Sequence, residues 1–96
     1  MLRLTLYTRP DCHLCDTMKG VVDAIARDEP VTLRQVDITG NIDLERRFGI
    51  EIPVLAHDGH VIARGRTTRA ALLESLRNIA RGTRDYPPPP VSNRRR

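Results

Sequence analysis

Two cysteines, Cys12 and Cys15, stand three positions apart in the sequence Cys12-His13-Leu14-Cys15 and are the only cysteines of the 96-residue chain. On a helix, residues three positions apart are neighbours on one side. Two thiols so placed can reduce a disulfide, because one attacks as a thiolate and the other resolves the mixed disulfide. The residue types leave two alternatives open, namely a pair of small buried apolar side chains and half of a soft-metal site.

The cysteines lie at a junction between two different periodicities. Before them, Leu2, Leu4 and Leu6 alternate with other residues, which predicts a strand. After them, apolar residues recur with the spacing of one helix face: Leu14, Met18, Val21, Val22 and Ile25. The pair is therefore predicted at the first turn of a helix, where free backbone N–H groups and the helix dipole favour a thiolate.

The charged neighbours of Cys12 act in opposite directions. Arg9 and a protonated His13 favour the thiolate, whereas Asp11 and Asp16 oppose it. Because Cys12 is the cysteine nearer to the helix N-terminus and to solvent, we expect it to be the nucleophile. We also expect its pKa to lie below the value of ~8.5 that is usual for a thiol.

The middle of the chain continues with a second strand and a short helix. Pro30 ends the first helix, and the apolar residues from Val31 to about Asp37 predict the second strand. Asn41 is a residue type that caps helix N-termini. Gly49 is placed to end the short helix in a left-handed conformation.

The second half predicts a hairpin and a last helix. Residues 52–56 and 61–63 indicate the third and fourth strands, and Asp58-Gly59 between them is typical of a tight turn. The last helix is predicted over residues 68–80, with Thr67 or Thr68 as its N-cap. The order β-α-β-α-β-β-α predicts an α/β fold with a four-stranded mixed sheet and three helices. We expect right-handed parallel crossovers from strand one to two and from two to three, followed by an antiparallel hairpin.

The net charge of +4 belongs to the C-terminal end alone, since residues 1–80 hold eleven basic and eleven acidic side chains. Aromatic residues make up only 3% of the chain, so a basic face with stacking aromatics, typical of nucleic-acid binding, is not expected. Four consecutive prolines at 87–90 and three terminal arginines predict a disordered tail over residues 82–96, after a single domain over residues 1–81.

Cysteine usage and hydropathy predict the compartment. Both cysteines belong to one motif, which fits a reducing cytoplasm better than a secreted disulfide scaffold. No signal-peptide pattern and no apolar run of membrane-spanning length is visible, so we expect a soluble, cytoplasmic monomer without a membrane partner. His57 and His60 flank the tight turn on the order of 13 Å from the cysteines, so no metal site is expected.

Over residues 2–80 the chain resembles the glutaredoxin-like branch of the thioredoxin superfamily. The first matching segment is Leu6-Tyr7-Thr8-Arg9-Pro10-Asp11-Cys12-His13-Leu14-Cys15. The others are the strand end Asp37-Ile38 and the segment Phe48-Gly49-Ile50-Glu51-Ile52-Pro53. The resemblance implies a thioredoxin-like fold, a redox dithiol formed by the two cysteines, and a cis proline at Pro53 that faces them.

The resemblance also implies an activity and a binding site. It implies a thiol–disulfide oxidoreductase that reduces protein disulfides or glutathione mixed disulfides, with Cys12 attacking and Cys15 resolving. No bound cofactor is implied; glutathione is a co-substrate, and glutathione or a reductase recycles the dithiol. Arg9 matches a basic position that contacts a glutathione carboxylate, and the Ile52 backbone beside Pro53 would pair with the substrate.

The chain departs from the family pattern at two places. His13-Leu14 replaces the usual Pro-Tyr between the cysteines. In residues 63–67 only Gly65 remains of a Gly-Gly pattern followed by an acidic residue. Arg64 and Arg66 are candidates for the carboxylate contact that this pattern makes, although we expect both to be ordinary solvated surface residues. An alternative function stays open, a non-catalytic module that binds a soft metal or an iron–sulfur cluster through the cysteine pair.

Overall fold

The structure, a computed structural model, describes residues 2–80. Its elements are β1 (Leu2–Thr8), α1 (His13–Ala26), β2 (Val31–Asp37), α2 (Ile42–Phe48), β3 (Val54–His57), β4 (His60–Arg64) and α3 (Arg69–Ala80). This order confirms the predicted succession of strands and helices. The predicted tail lies outside the described residues, and none of the described helices has the length and hydropathy that a bilayer crossing requires.

The four strands form one mixed sheet in the order β2-β1-β3-β4. β1 pairs in parallel with β2, and it pairs antiparallel with β3 on its other side, where Tyr7 stands opposite Val54. β3 and β4 form the antiparallel hairpin. The mixed sheet is confirmed, whereas the expected parallel crossover from the second to the third strand is wrong.

The short length of α2 explains this difference. Its seven residues rise about 10 Å, while the seven residues of β2 span about 23 Å. The helix therefore cannot carry the chain back to the start of β2. The chain enters β3 at the end of the sheet where β2 stops, and β3 runs antiparallel to β1.

The alternation along β1 decides which face of the sheet is the main core. Leu4 and Leu6 point to the face covered by α1 and α3 and are almost completely buried. They pack with apolar residues of both helices and of the other strands: Met18, Val22, Ile25, Val31, Leu55, Ile62, Leu72 and Leu76. The apolar stripe predicted for α1 is thus the face that packs on the sheet.

On the opposite face, α2 packs on the C-terminal end of β1 through an aromatic pair. The rings of Tyr7 and Phe48 are stacked with centroids 4.6 Å apart and an interplanar angle of 28°. The Arg47 guanidinium carbon lies 4.7 Å from the centroid of the Phe48 ring. This contact fixes α2 at the end of the sheet where β1 leads into the cysteines.

Local signals set most helix ends and the hairpin turn. The Asn41 side chain accepts a hydrogen bond from the Leu44 amide at 3.1 Å, and the Thr68 hydroxyl accepts one from the Ala71 amide at 3.1 Å. Asp58 and Gly59 both have positive φ, 48° and 80°, as a type I′ turn requires. The predicted caps and hairpin are therefore confirmed.

The prediction of a left-handed Gly49 is wrong. Gly49 has φ −52° and ψ −38°, and its amide donates to the Glu45 carbonyl at 2.9 Å. A further turn follows, in which the Glu51 amide donates to the Phe48 carbonyl at 2.8 Å. The chain thus keeps a right-handed turn beyond the helix, in which a Cβ at position 49 would meet the Glu45 carbonyl oxygen and the Arg9 side chain.

Candidate active site

A sharp loop brings the chain from β1 to the first cysteine. Asp11 has φ 59°, a left-handed conformation that short polar side chains tolerate better than bulky ones. Cys12 then has extended φ and ψ and occupies the N-cap of α1, while His13 is the exposed first residue of the helix. The predicted position of the pair at the start of a helix is confirmed.

Cys12 and Cys15 form a disulfide, with Cα atoms 5.2 Å apart. The Cys12 sulfur also accepts a hydrogen bond from the Cys15 amide at 3.1 Å, which satisfies one of the free N–H groups of the first turn. Cys12 is half-buried, whereas only 3% of Cys15 is exposed. One sulfur can therefore be approached from solvent, and the other lies against the core.

The Ile52–Pro53 bond is cis, as the resemblance implied, and Pro53 is fully buried. The pairing of Tyr7 with Val54 puts Pro53 at the sheet end from which β1 leads to Cys12. Ile52 is half-buried, and within residues 2–80 its N–H and C=O take part in no backbone hydrogen bond. A backbone N–H and C=O without such a bond, at this end of the sheet, can pair with an extended substrate segment.

The side chain of Arg9 lies on α2. Its Nη2 atom is 3.6 Å from the Glu45 carboxylate, and the second oxygen of that carboxylate accepts a hydrogen bond from the Gly40 amide at 2.9 Å. The same Nη2 atom lies 3.0 Å from where a Cβ on Gly49 would stand. Sequence reasoning missed this set of contacts, because Arg9 and Glu45 are far apart in the chain.

The carboxyl of Asp37, at the end of β2, belongs to the same region. Its pKa is lowered, first because the carboxylate accepts hydrogen bonds from Thr39 and, to a smaller extent, because of the positive charge of Arg9. The Thr39 amide donates to Asp37 at 2.8 Å. Arg9 thus pairs with the Glu45 carboxylate on α2 and acts weakly on the Asp37 carboxylate at the end of β2.

A groove of about 310 Å³ lies between α1 and the loop before α3. It is lined by Leu14, Thr17 and Met18 and by residues 65–68. Arg66 is exposed in this lining and has no ion pair with any residue of the described range, whereas the Arg64 Nε donates to Glu51 at 2.9 Å. Of the two arginines considered from the sequence, Arg66 is therefore the one available to a ligand.

The histidines lie at the other end of β3, on the hairpin. His57 Nε2 is 3.7 Å from an Asp58 carboxylate oxygen. Within residues 2–80, no three His, Cys, Asp or Glu side chains come together as ligands for a metal ion. In the reduced protein, Cys12 and Cys15 would be the two thiols of the candidate site.

Comparisons with known proteins agree with this geometry. A family model described as Glutaredoxin-like domain (DUF836) matches residues 3–77. A protein named thioredoxin from Methanocaldococcus jannaschii is 28% identical over 79 residues, which are 79% of this chain and 93% of that protein. The X-ray structure of a structural-genomics target from X. campestris is 32% identical, with a TM-score of 0.67, over 77% of this chain and 95% of that one.

More distant structures share the fold. The solution NMR structure of a protein from Nitrosomonas europaea has a TM-score of 0.69 at 23% identity, over 76% of this chain and 88% of that one. Thioredoxin 1 of Thermosipho africanus has a TM-score of 0.60 at 11% identity, over 88% of this chain and 100% of that one. The predicted thioredoxin-like fold is therefore confirmed.

Proposed function

Since the chain belongs to the glutaredoxin-like domain family (DUF836), we propose that it is a thiol–disulfide oxidoreductase that reduces protein disulfides or glutathione mixed disulfides. The family and the cysteine pair support a redox-type function. The observation that carries the finer proposal is the disulfide at the N-terminus of α1, in which Cys12 meets solvent and Cys15 lies against the core.

The reaction transfers two electrons in two exchange steps. The Cys12 thiolate attacks one sulfur of the substrate disulfide, the other sulfur leaves as a thiolate that takes a proton from water, and a mixed disulfide forms on Cys12. Cys15 loses its proton to solvent and attacks the Cys12 sulfur, which releases the second substrate thiolate. The substrate gains two electrons and two protons, and the dithiol becomes the disulfide.

The N-terminus of α1 supports the first step. In the reduced protein, the Cys15 amide and the helix dipole would stabilise negative charge on the Cys12 sulfur, at the position where the amide now donates to it. His13, the next residue, would add to this effect when protonated. We thus propose that a protonated His13 stabilises the Cys12 thiolate.

The segment before β3 supports substrate docking. The backbone N–H and C=O of Ile52, next to the cis bond of Pro53, would pair with the residues around the substrate disulfide. The groove beside α1 would accept the adjoining part of the substrate, and Arg66 at its edge would attract a carboxylate such as those of glutathione.

The remaining aspects of the proposal follow from the sequence. We propose that the protein works as a monomer in a reducing compartment such as the cytoplasm, without nucleic-acid or membrane partners and without a bound cofactor. Two glutathione molecules, or a dithiol reductase, would return the disulfide to the dithiol at the cost of their own oxidation. In this way the protein would contribute to cell redox homeostasis.

The test is the turnover of a glutathione mixed disulfide of a small thiol, and separately of a protein disulfide with dithiothreitol as reductant. Wild type, Cys12→Ser and Cys15→Ser are compared. We expect both activities to vanish in Cys12→Ser. When Cys15→Ser is reduced, freed of dithiothreitol and then mixed with the protein disulfide, we expect the substrate to be trapped as a mixed disulfide on Cys12, detectable by mass spectrometry.

The metal content of the purified protein distinguishes the proposed oxidoreductase from the alternative function. The alternative is a non-catalytic module that holds a soft metal or an iron–sulfur cluster through Cys12 and Cys15. Elemental analysis and the visible spectrum of the purified protein are recorded beside the activity assay. Stoichiometric metal that is lost in both cysteine variants, together with no turnover in wild type, would replace the oxidoreductase by this module.

A further inference from the structure

We propose that Arg9 is a positioning residue, which holds the loop that carries Cys12 against the segment that carries Ile52, and that it is not the ligand of a substrate carboxylate. This inference rests on the proposed function, because it concerns how the two halves of that site are held together. The implied role for Arg9, a contact with glutathione, is replaced by a contact within the protein.

The first support is the ion pair between Arg9 and Glu45. Arg9 lies three residues before Cys12, and its guanidinium reaches the Glu45 carboxylate on α2 at 3.6 Å. That carboxylate is fixed from its other oxygen by the Gly40 amide at 2.9 Å. The partner of Arg9 is therefore held in place by backbone, so the pair connects the Cys12 loop to the start of α2.

The second support is the close packing of Arg9 on Gly49. A Cβ at position 49 would collide with the Glu45 carbonyl oxygen and would stand 3.0 Å from the guanidinium nitrogen, so Arg9 packs closely on the backbone of Gly49. Gly49 is the first of the four residues, 49–52, that lead to Pro53. The guanidinium thus lies at the start of the segment that carries Ile52, the proposed docking residue.

The third support is the charge around Arg9. The carboxylates of Glu45 and Asp37 both act on its guanidinium, and Asp37 lies at the end of the neighbouring strand β2. A cation already paired with the Glu45 carboxylate attracts a free carboxylate more weakly than an unpaired cation does. Arg66, which is exposed and has no ion pair within residues 2–80, is better suited to that task.

The positioning role and the ligand role predict opposite effects of one variant, Glu45→Gln. If Arg9 positions the two loops, Glu45→Gln has the same effect as Arg9→Met, because either change breaks the connection. If Arg9 binds a substrate carboxylate, Glu45→Gln frees Arg9 and strengthens the binding of anionic substrates. Asp43→Asn, an exposed acid in the same first turn of α2, is the matched control for charge.

The experiment compares wild type, Arg9→Met, Glu45→Gln, the double variant and Asp43→Asn with two readouts. The first is amide hydrogen exchange at residues 49–52 in the oxidised protein. The second is the second-order rate of the reduced protein with an anionic glutathione mixed disulfide and with an uncharged aliphatic disulfide.

We expect Arg9→Met and Glu45→Gln each to speed amide exchange at residues 49–52. Each should also lower the second-order rate with both disulfides by about three- to tenfold. This is well under the ~100-fold loss that a 1 Å misplacement can cause. The double variant should resemble the single ones, since both remove one connection. Asp43→Asn should match wild type.

Two results would overturn the inference. The first is a lower rate of Arg9→Met with the anionic disulfide but not with the uncharged one. The second is unchanged amide exchange at residues 49–52 in both Arg9→Met and Glu45→Gln. If wild type turns over neither disulfide, the proposed function fails, and the exchange data alone still decide whether Arg9 holds the two loops together.

Discussion

The Gly65 amide donates a hydrogen bond to the Pro53 carbonyl at 2.8 Å. The bond attaches the loop before α3 to the residue that precedes β3, at the end of the sheet where β1 leads to the disulfide. Gly65 has φ 60°, and this left-handed conformation turns the chain from β4 toward the start of α3. The conformation of one glycine thus contributes to the position of the proposed docking segment.

Gly65→Ala should lower the free energy of unfolding by about 1–2 kcal/mol, because a Cβ disfavours the left-handed conformation. No atom lies within 4 Å of the new Cβ, so a steric clash would not contribute. Urea unfolding measures the loss. Gly65→Asn is the control and should lose less, since asparagine tolerates this region; an unchanged stability in Gly65→Ala would contradict the prediction.

Gly20→Ala should raise the free energy of unfolding by roughly 0.5–1 kcal/mol, because glycine in a helix interior is less favourable than alanine. Gly20 lies in the middle of α1, is exposed, and has nothing within 4 Å of the position of a Cβ. Thermal unfolding should show a higher midpoint at unchanged activity. A lower midpoint would mean that a contact of α1 has been overlooked.

The stacked rings of Tyr7 and Phe48 should show a coupling of about 0.5–1.5 kcal/mol in a double-mutant cycle. The cycle compares Tyr7→Leu, Phe48→Leu and the double variant by denaturant unfolding. Arg47→Gln, measured beside it, should cost up to about 1 kcal/mol through the lost cation–π contact with Phe48. Additive losses in the cycle would show that the rings contribute only through the area that each buries.

Acid should remove the stability that Asp37 contributes. The pKa of its carboxyl is lowered from 3.8 in the folded state, chiefly by the hydrogen bonds from Thr39. The folded state therefore holds the proton more weakly than the unfolded chain, so this contribution is complete above the unfolded pKa and is lost as pH falls below 3.8. Urea unfolding between pH 6 and pH 2.5 should show a weaker pH dependence in Asp37→Asn, and an identical dependence would refute this role.

Arg66→Gln should raise the KM for a glutathione mixed disulfide by about two- to tenfold, as expected for the loss of one exposed charge-assisted contact. An uncharged disulfide should be unaffected, since it offers no carboxylate. Arg3→Gln, an exposed arginine at the opposite end of β1, is the matched control. An equal rise in KM for both disulfides would instead indicate that Arg66 has a structural role.

Features with a local cause could be predicted from the sequence. The alternation in β1, the caps Asn41 and Thr68 and the turn Asp58-Gly59 each depend on residues a few positions apart. The position of the cysteines followed from the change of periodicity around them. The cis state of Pro53 is different, because only the family resemblance indicated it.

Features that depend on distant residues were missed. The apolar pattern of β3 does not indicate which strand it pairs with. Its antiparallel pairing with β1 results from the short length of α2 relative to β2. The contact of Arg9 with Glu45 joins positions 36 residues apart in the chain. The groove likewise forms between α1 and a loop about fifty residues later. A single sequence therefore gives the types of these residues but not which of them come into contact in the fold.

The sheet order leaves β2 and β4 as the outer strands, and each carries an arginine. Arg34 is exposed on β2, and Arg64 on β4 pairs with Glu51. A strand from a second copy, arriving at either edge, would have to remove water from Arg34 or displace Glu51 from Arg64 before its backbone could pair. Desolvation at both edges therefore opposes the growth of the sheet from one molecule into the next.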